Sequence, residues 1–477
     1  MVFSSPIFIC VFLPLVLGLY FLLPKATNNA VLVTASLVFY AWGDPLAAVA
    51  LIIPSVTINF FLGRIVGAAA GQRRRCAIAG AVTFNLAVLI VFKYWGFVVS
   101  NANPLLATVG APSLPAPEIN LPLGISFFTF HIISYLVDVY RGILPPQSSL
   151  TAFALYIVNF PQLIAGPIIR YRQMAGQLGA RVVVFGDIEY GVLRFTTGLA
   201  KKLLIADPIG EIADAVFGIA PTDLTTGAAW LGVACYTLQI YFDFSGYSDM
   251  AIGLARMFGF RFPENFNYPY AANSIQDFWR RWHMTLSAWF RDYVYVPLGG
   301  NRFGPWHTVR NLWIVFLLTG AWHGASWNFI VWGLWHGLFL SLEKIGAVAR
   351  LLERLPQVIR VSYVLAVVVL GWVFFRASDL GYAIAFLRRM FALDAGYAVP
   401  VAALNLVTWR TLSMMALAAC LALPVWPLLR HLWWARLEEK RAIIADGARA
   451  VFVALVLVLS FATMASQQAS QFLYFRF

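Results

Sequence analysis

The sequence predicts an all-α polytopic membrane protein, because its composition, its apolar runs and its loop charges all favour that fold class. The chain has 477 residues, of which 61% are hydrophobic and only 12% are charged. A soluble globular domain carries about 25% charged residues. Several runs approach the ~20 apolar residues that a helix needs to cross a bilayer. No polar stretch is long enough for a soluble domain, so we expect one integral-membrane domain over 1–477, with core motifs at 121–345 and C-terminal helices at 361–465.

The apolar segments predict helices in or at the membrane, not all of which need to cross it. They lie at 7–23, 30–42, 46–66, 76–99, 121–140, 149–167, 190–206, 226–244, 309–323, 326–345, 361–377, 411–430 and 447–465. The first run has no basic residue before it and no small-residue cleavage site after it, so it is expected to stay as a membrane helix. The segment 149–167 contains Pro161, Gly166 and Pro167, which predict a bent or re-entrant element.

Loop charges predict the topology, since cytoplasmic loops carry an excess of Lys and Arg. Arg73, Arg74 and Arg75 assign the loop at 67–75 to the cytoplasm, whereas the loop at 100–120 has no Lys or Arg and is assigned to the outside. The basic loop at 431–448 is assigned to the cytoplasm. Both termini are then expected on the outer side.

The net charge of +13 does not predict nucleic-acid binding, because the basic residues fall in short loops between apolar segments. The four cysteines lack the spacing of a metal site or a disulfide framework. The sequence contains no nucleotide-binding glycine motif, and no metal or permanently bound cofactor is expected.

The region 273–295, NSIQDFWRRWHMTLSAWFRDYVY, predicts one amphipathic helix at the membrane interface. Its apolar residues recur at helical spacing within an arc about 100° wide. His283 lies at the edge of this stripe, where it can face a protein cavity. The alternative is an interfacial histidine, with the neighbouring Arg and Trp side chains anchoring the protein among lipid headgroups.

The tripeptide Trp-His-Gly occurs twice in TGAWHGASWNFIVWGLWHG, at 319–337. In one straight helix the two histidines would lie about 20 Å apart and face roughly opposite sides, so they could not form a joint site. Gly324-Ala325-Ser326 permits a break. Intramembrane ionisable residues often mark function, and His323, flanked by Trp322 and Trp327 beside the bend, fits that description. His336 lies close to an interface and is expected to be structural.

Other polar residues in apolar context are His131 with Asp138, and Asp243 with Asp249. Each pair could relay protons, but hydrogen bonding between helices is the commoner explanation. Two lone histidines suit general acid–base catalysis of acyl transfer, in which one accepts the proton of the attacking group.

The chain resembles the membrane-bound O-acyltransferase (MBOAT) family, and within it the bacterial branch that acetylates exopolysaccharides such as alginate. The motifs that carry the resemblance run in order along almost the whole chain: SLVFYAWGDP, VFKYWGF, LPLGISFFTF, YLVDVYRG, FPQLIAGPI, YFDFSGYSDMAIGLARMFGF, PENFNYPY, FWRRWHMTLSAWFRDYVYVPLGG, GAWHGASWNFIVWGLWHG and QFLYFRF. It implies a ring of about eleven transmembrane helices, with short inclined, re-entrant and interfacial helices around a central tunnel.

The resemblance also implies a function and a site. The family's invariant histidine matches His323 and its second histidine matches His283. An acyl group, with acetyl-CoA as the expected donor, would pass from the cytoplasm across the bacterial inner membrane to a periplasmic SGNH-hydrolase-like partner and then to an exopolysaccharide. The expected substrate contacts are Trp279, Trp282, Arg280, Arg291, Trp322 and Trp327. The alternatives are D-alanyl transfer to a cell-envelope polymer and a conduit for acyl groups or polymer with no chemistry of its own.

Overall fold

The computed structural model describes residues 1–43, 47–115, 122–179, 181–392, 407–425, 442–466 and 472–473. Within these ranges the regular elements are all helical. Residues 116–120 of the predicted outer loop and 431–441 of the predicted basic loop lie outside them, as does most of the QFLYFRF motif.

The α-helices are numbered in chain order. They are α1 Leu13–Leu22, α2 Asn28–Ala41, α3 Ala47–Ala68, α4 Gly71–Thr108, α5 Ile125–Tyr140, α6 Leu150–Val158, α7 Phe160–Leu163, α8 Tyr171–Met174, α9 Phe185–Ala200, α10 Asp207–Phe217, α11 Thr226–Met257, α12 Ile275–Arg281, α13 Met284–Phe290, α14 Pro305–His323, α15 Trp327–Leu342, α16 Gly346–Arg354, α17 Gln357–Arg376, α18 Leu380–Met390, α19 Trp409–Leu421 and α20 Ala442–Ser466. Within the described ranges, three stretches are π-helical: Phe8–Phe12, Lys201–Ala206 and Arg291–Tyr295.

Four described helices contain segments long and apolar enough to cross a membrane: Val49–Ala68, Gly71–Thr108, Gln357–Arg376 and Gly447–Ala465. Three shorter apolar helices lie at Phe8–Leu22, Ile125–Tyr140 and Trp409–Leu421. The polytopic helical class is therefore supported, whereas the ring of about eleven spans and its tunnel stay a prediction.

Helix α4 differs from its predicted segment, 76–99, by extending well beyond it at both ends. Its 38 residues span about 57 Å at the helical rise of 1.5 Å per residue. Arg73, Arg74 and Arg75 therefore occupy its first turns and do not lie in a loop. Arginine is a good helix former, so a basic stretch does not by itself end a helix.

The described residues form two compact units, and each is described by itself. The first comprises Met1–Gly191 and Ala251–Pro263, and the second Val192–Met250 and Glu264–Phe477. The organisation of the chain as a single domain stays a prediction.

In the first unit, α6 ends at Val158 and the short α7 carries Pro161 in its first turn. The break predicted for 149–167 is therefore present. His131 is completely buried on α5, and its Nε2 accepts the N–H of Ile169 at 3.2 Å. That hydrogen bond links α5 to the chain before α8, whereas a proton relay through His131 and Asp138 stays a hypothesis.

In the second unit, the hairpin of α14 and α15 packs against α17, and α12 contacts both α15 and α17. Glu343, which follows α15, accepts the backbone N–H groups of Ile275 and Gln276 at 2.6 and 3.0 Å. These N–H groups belong to the first turn of α12, where they lack partners within their own helix. A carboxylate from one helix thus fixes the start of another.

Candidate active site

The doubled tripeptide lies on a helical hairpin, so the straight-helix geometry considered for 319–337 is wrong. Helix α14 ends at His323, and α15 starts at Trp327 after an extended Gly324. Ser326 caps the new helix by accepting the N–H of Asn328 at 3.2 Å. The chain therefore reverses within three residues.

The two helices of this hairpin meet backbone against backbone at Gly320 and Gly333. A Cβ atom on Gly333 would overlap the carbonyl oxygen of Phe316 and would lie 3.1 Å from the Cα of Gly320. Small residues four apart permit such close contact between membrane helices. Gly320 with Gly324, and Gly333 with Gly337, give that spacing on both sides of the bend, and they are the signal that sequence reasoning missed.

The hairpin brings both histidines to the same indole. The ring centre of Trp332 lies 4.9 Å from that of His323 and 5.2 Å from that of His336, with the rings edge to face. The two imidazole centres are therefore at most about 10 Å apart. The predicted separation of about 20 Å was wrong because it assumed that the helix continued through the bend.

The predicted amphipathic helix over 273–295 is interrupted at His283. Helix α12 ends at Arg281 and α13 starts at Met284, and between them His283 has a left-handed backbone, with φ of 42° and ψ of 54°. Left-handed backbone is uncommon in residues other than glycine, so helical periodicity gave no warning of it. Trp279, Trp282 and Trp289 are also buried within the protein, which contradicts their placement among lipid headgroups.

Asn265 holds the break at His283 in place. Its Oδ1 accepts the N–H of Thr285 at 3.3 Å and the Thr285 hydroxyl at 2.9 Å, and it lies 3.0 Å from His283 Nδ1. Because a carbonyl oxygen only accepts, the neutral imidazole carries its proton on Nδ1. Asn265 is in turn fixed through Ser248, whose hydroxyl accepts its Nδ2–H at 3.1 Å.

Burial also sets the charge of His283. The segment between α12 and α13 lies outside the four candidate spans, and burial lowers the pKa of His283 to about 3. Desolvation disfavours the charged imidazolium, so the ring is neutral at neutral pH.

A cavity in the second unit reaches His323. Its lining residues are mostly aromatic and aliphatic, with Asp243 and His323 as the two ionisable groups: Ile240, Asp243, Phe244, Trp282, His323, Trp332, Trp372, Phe375 and Leu473. Among these described lining residues, His323 provides the only imidazole. Apolar walls with a few placed polar groups are the kind of lining found in small-molecule sites, whereas the free volume here is about that of one water molecule.

His283 lies behind this cavity and is not among its lining residues. Its ring centre is 4.7 Å from that of Phe244, which lines the cavity, and 6.2 Å from that of Trp322. Trp322 also lies 4.9 Å from His323. The ring centres of the two histidines predicted to be catalytic are therefore at most about 11 Å apart, and Trp322 lies beside both of them.

The residues predicted to contact substrate separate into three groups. Trp282 lines the cavity. Trp279 and Trp322 are buried beside it, with Trp279 packed 5.7 Å from Trp332 between ring centres. The remaining residues, Arg280, Arg291 and Trp327, are exposed, and Arg291 pairs with Asp292 at 2.9 Å.

His336 is completely buried and does not snorkel to an interface. Its ring lies among Phe278, Trp279 and Trp332, with ring centres 6.3, 5.1 and 5.2 Å away. A Cβ on Gly371 of α17 would come within 3.1 Å of its Nε2. His336 therefore belongs to the packing between α12, α15 and α17.

A buried lysine beside the cavity was missed by sequence reasoning. Lys202 is 2% exposed, and its Nζ pairs with Asp207 at 2.8 Å and with Asp243 at 2.7 Å. Asp249 pairs with Arg194 at 2.8 Å and with Lys201 at 2.7 Å. These ion pairs confirm that Asp243 and Asp249 are bonded between elements. The two adjacent lysines inside the apolar segment 190–206 were the available signal.

The site offers no grouping typical of a metal centre. In the part of the chain that the structure describes, no three His, Cys, Asp or Glu side chains lie together as a metal site requires.

Comparison with known proteins gives the family. The MBOAT, membrane-bound O-acyltransferase family, matches residues 143–376, which include α11–α15, the lining residues up to Phe375 and both predicted catalytic histidines. A protein of Pseudomonas putida described as "Probable alginate O-acetylase AlgI" is 41% identical over the full length of both chains. One of Azotobacter vinelandii with the same description is 46% identical over 82% of this chain and 78% of its own. A "Peptidoglycan O-acetyltransferase" of Helicobacter pylori is 37% identical over 83% of this chain and 80% of its own. These relationships, with the apolar helices and the cavity at His323, identify the chain as a multi-pass membrane protein of the membrane-bound O-acyltransferase family, and hence as an O-acyltransferase.

Proposed function

We propose that this enzyme transfers an acetyl group from acetyl-CoA at the cytoplasmic side of the bacterial inner membrane for O-acetylation of an exopolysaccharide such as alginate. The observation that carries the proposal is that His323 contributes an imidazole to a mostly apolar cavity in a chain of this family. An imidazole can exchange protons near neutral pH, and an apolar enclosure strengthens electrostatic interactions and excludes competing water.

In the proposed reaction, His323 acts as general base. It takes the proton of the acceptor hydroxyl while the oxygen attacks the thioester carbonyl and forms a new C–O bond. The C–S bond then breaks, and the thiolate leaves with a proton returned from the imidazolium. In the rival route the imidazole itself attacks the thioester carbonyl, the C–S bond breaks and the CoA thiolate leaves, which forms an acyl-histidine. The acceptor hydroxyl then attacks the acyl-histidine, so that a C–O bond forms, the C–N bond breaks and the hydroxyl proton passes to the imidazole or the thiolate.

The other predicted site residues receive roles according to their positions. Trp282 would form the wall along which the acyl group lies. The exposed Arg280 and Arg291 would meet donor phosphates or lipid headgroups, for which arginine is well suited. The neutral His283 carries its proton on Nδ1, so its Nε2 cannot donate to the donor carbonyl or to the leaving thiolate. Its proposed role is therefore to position Phe244 and Trp322 behind the cavity. Trp279, Trp322 and Trp327 remain proposed substrate contacts.

The proposal for the acceptor rests on how the similar proteins are described. Those with 41–46% identity are described as alginate O-acetylases, so we propose an alginate-like polymer, reached through a periplasmic SGNH-hydrolase-like transferase. The loop charges, read in a bacterial inner membrane, would place both termini in the periplasm. Acetyl is favoured over D-alanyl because the three relatives described above carry acetyl-transfer names.

The test is the O-acetyl content of exopolysaccharide from cells that express His323→Ala. We expect acetylation to fall by about 10²–10⁴-fold, the usual contribution of a general acid–base group, with the amount of protein in the membrane unchanged. The matched control is His307→Ala, which removes an exposed histidine of the same unit.

A second measurement addresses the donor. Purified protein in nanodiscs is mixed with radiolabelled acetyl-CoA, and the release of free CoA is followed. Wild type should release CoA in the presence of an acceptor, and His323→Ala should not. Acetylation that persists in the His323→Ala cells would overturn the assignment.

A further inference from the structure

Leu473 lines the cavity at His323, although it is far from the other lining residues in sequence. It is 4% exposed, and the preceding Phe472 is 1% exposed. The family match ends at residue 376, so this part of the wall comes from a segment outside the matched region. A cavity wall supplied by a separate segment is a candidate determinant of what the cavity accepts.

The segment 472–473 is held by the buried ion pair of Asp243 and Lys202. Asp243 Oδ2 accepts the backbone N–H of Leu473 at 2.9 Å, and Asp243 Oδ1 pairs with Lys202. The Nζ of Lys202 lies 4.6 Å from the ring centre of Phe472, which packs edge to face on Tyr247 at 4.8 Å. A desolvated cation over an aromatic face is a favourable contact. Asp243 and Lys202 thus fix the position of Leu473 relative to His323.

The remaining walls are less adjustable. Trp332, Trp372 and Phe375 pack on one another with ring centres 5.0 to 6.1 Å apart. In a close-packed interior such rings cannot withdraw without disturbing their neighbours. Leu473 is an aliphatic side chain, and shortening it removes carbon atoms from the wall without disturbing these ring contacts.

We propose that Leu473, positioned by Asp243 and Lys202, limits the length of the acyl group that the cavity accepts at His323. The inference rests on the proposed function, in which an acyl thioester reacts at His323. In this proposal the cavity opens for a short acyl group when leucine stands at 473, and a longer chain would meet the Leu473 side chain. Leu473 is thus a specificity-determining residue, and the two charged residues are positioning residues.

The test compares acyl donors in Leu473→Ala and Leu473→Val, using purified protein in nanodiscs with acetyl-CoA, propionyl-CoA and butyryl-CoA. The readout is CoA release for each donor, expressed as the ratio of butyryl to acetyl transfer. A methylene in an apolar pocket changes selectivity by about 10-fold or more. We therefore expect the ratio to rise at least about tenfold in Leu473→Ala and by less in Leu473→Val.

The matched control is Leu340→Ala. Leu340 is buried in the same unit to the same extent, 4% exposed, and does not line the cavity. This variant makes the same chemical change, so a general loosening of the protein would raise its ratio too. If Leu473→Ala does not accumulate, the ratio is read from Leu473→Val.

An unchanged ratio in the Leu473 variants, or an equal rise in Leu340→Ala, would overturn the inference while leaving the role of His323 intact. Acetyl transfer that survives in His323→Ala would overturn the proposed function instead. The two failures are therefore distinguishable in one assay.

Discussion

The two Trp-His-Gly tripeptides have the same letters and different surroundings. In the first, His323 is the last residue of α14 and lines a cavity. In the second, His336 lies in the middle of α15, completely buried between aromatic rings. Both imidazoles contact Trp332. The difference teaches that the tripeptide alone does not decide whether a buried histidine lines a cavity, whereas its position relative to a helix end does.

The sharpest test of this comparison replaces each histidine by methionine, which has a similar volume. His323→Met should lower acetyl transfer by about 10²–10⁴-fold, because it removes the proposed base. His336→Met should leave transfer within about threefold, a small change in activation free energy. Among the described residues, neither ring nitrogen of His336 has a hydrogen-bond partner, so an apolar replacement should not destabilise the protein. CoA release and thermal unfolding measure the two effects, and equal losses of activity would contradict the distinction.

The next test breaks the hairpin that brings the tripeptides together. Gly333→Ala places a methyl group against the backbone of α14, and no rotamer can relieve that overlap. We expect a loss of about 1–3 kcal/mol in the free energy of unfolding, as for other overpacked sites. The control Gly80→Ala adds a methyl group in open space on α4 and should be neutral or stabilising by up to about 1 kcal/mol. The measurement is the thermal unfolding midpoint of each variant in nanodiscs. Identical midpoints for Gly333→Ala and Gly80→Ala would refute the close contact between α14 and α15.

The smallest expected loss of stability follows a change at Glu343, the residue after α15, which holds the second tripeptide. Glu343→Gln removes the negative charge at the start of α12 and should destabilise the protein by about 0.3–1 kcal/mol, with activity per folded molecule unchanged. The exposed Glu353→Gln on α16 is the matched control. A loss of activity without a loss of stability would indicate that this end of α15 takes part in the reaction.

Sequence reasoning succeeded where a local physical rule applies. The apolar runs predicted helices because the bilayer requires internally bonded backbone, and Pro161 predicted the break between α6 and α7. His323 was singled out by the bend beside it, and it lines the cavity. Periodicity failed at His283, where a left-handed residue divides the predicted helix. Asn265, from another segment, holds this break through the His283 side chain and the N–H of Thr285.

The sequence by itself determined the helical membrane class, the family and the histidine in the cavity, because these depend on composition, order of motifs and local helix breaks. The tertiary structure decided what surrounds that histidine. It brought His323 and His336 to one indole, set His283 behind Phe244, and joined Lys202, Asp243 and Leu473 at the cavity wall. Contacts between segments distant in sequence depend on how helices pack, and hydrophobic periodicity does not encode that packing.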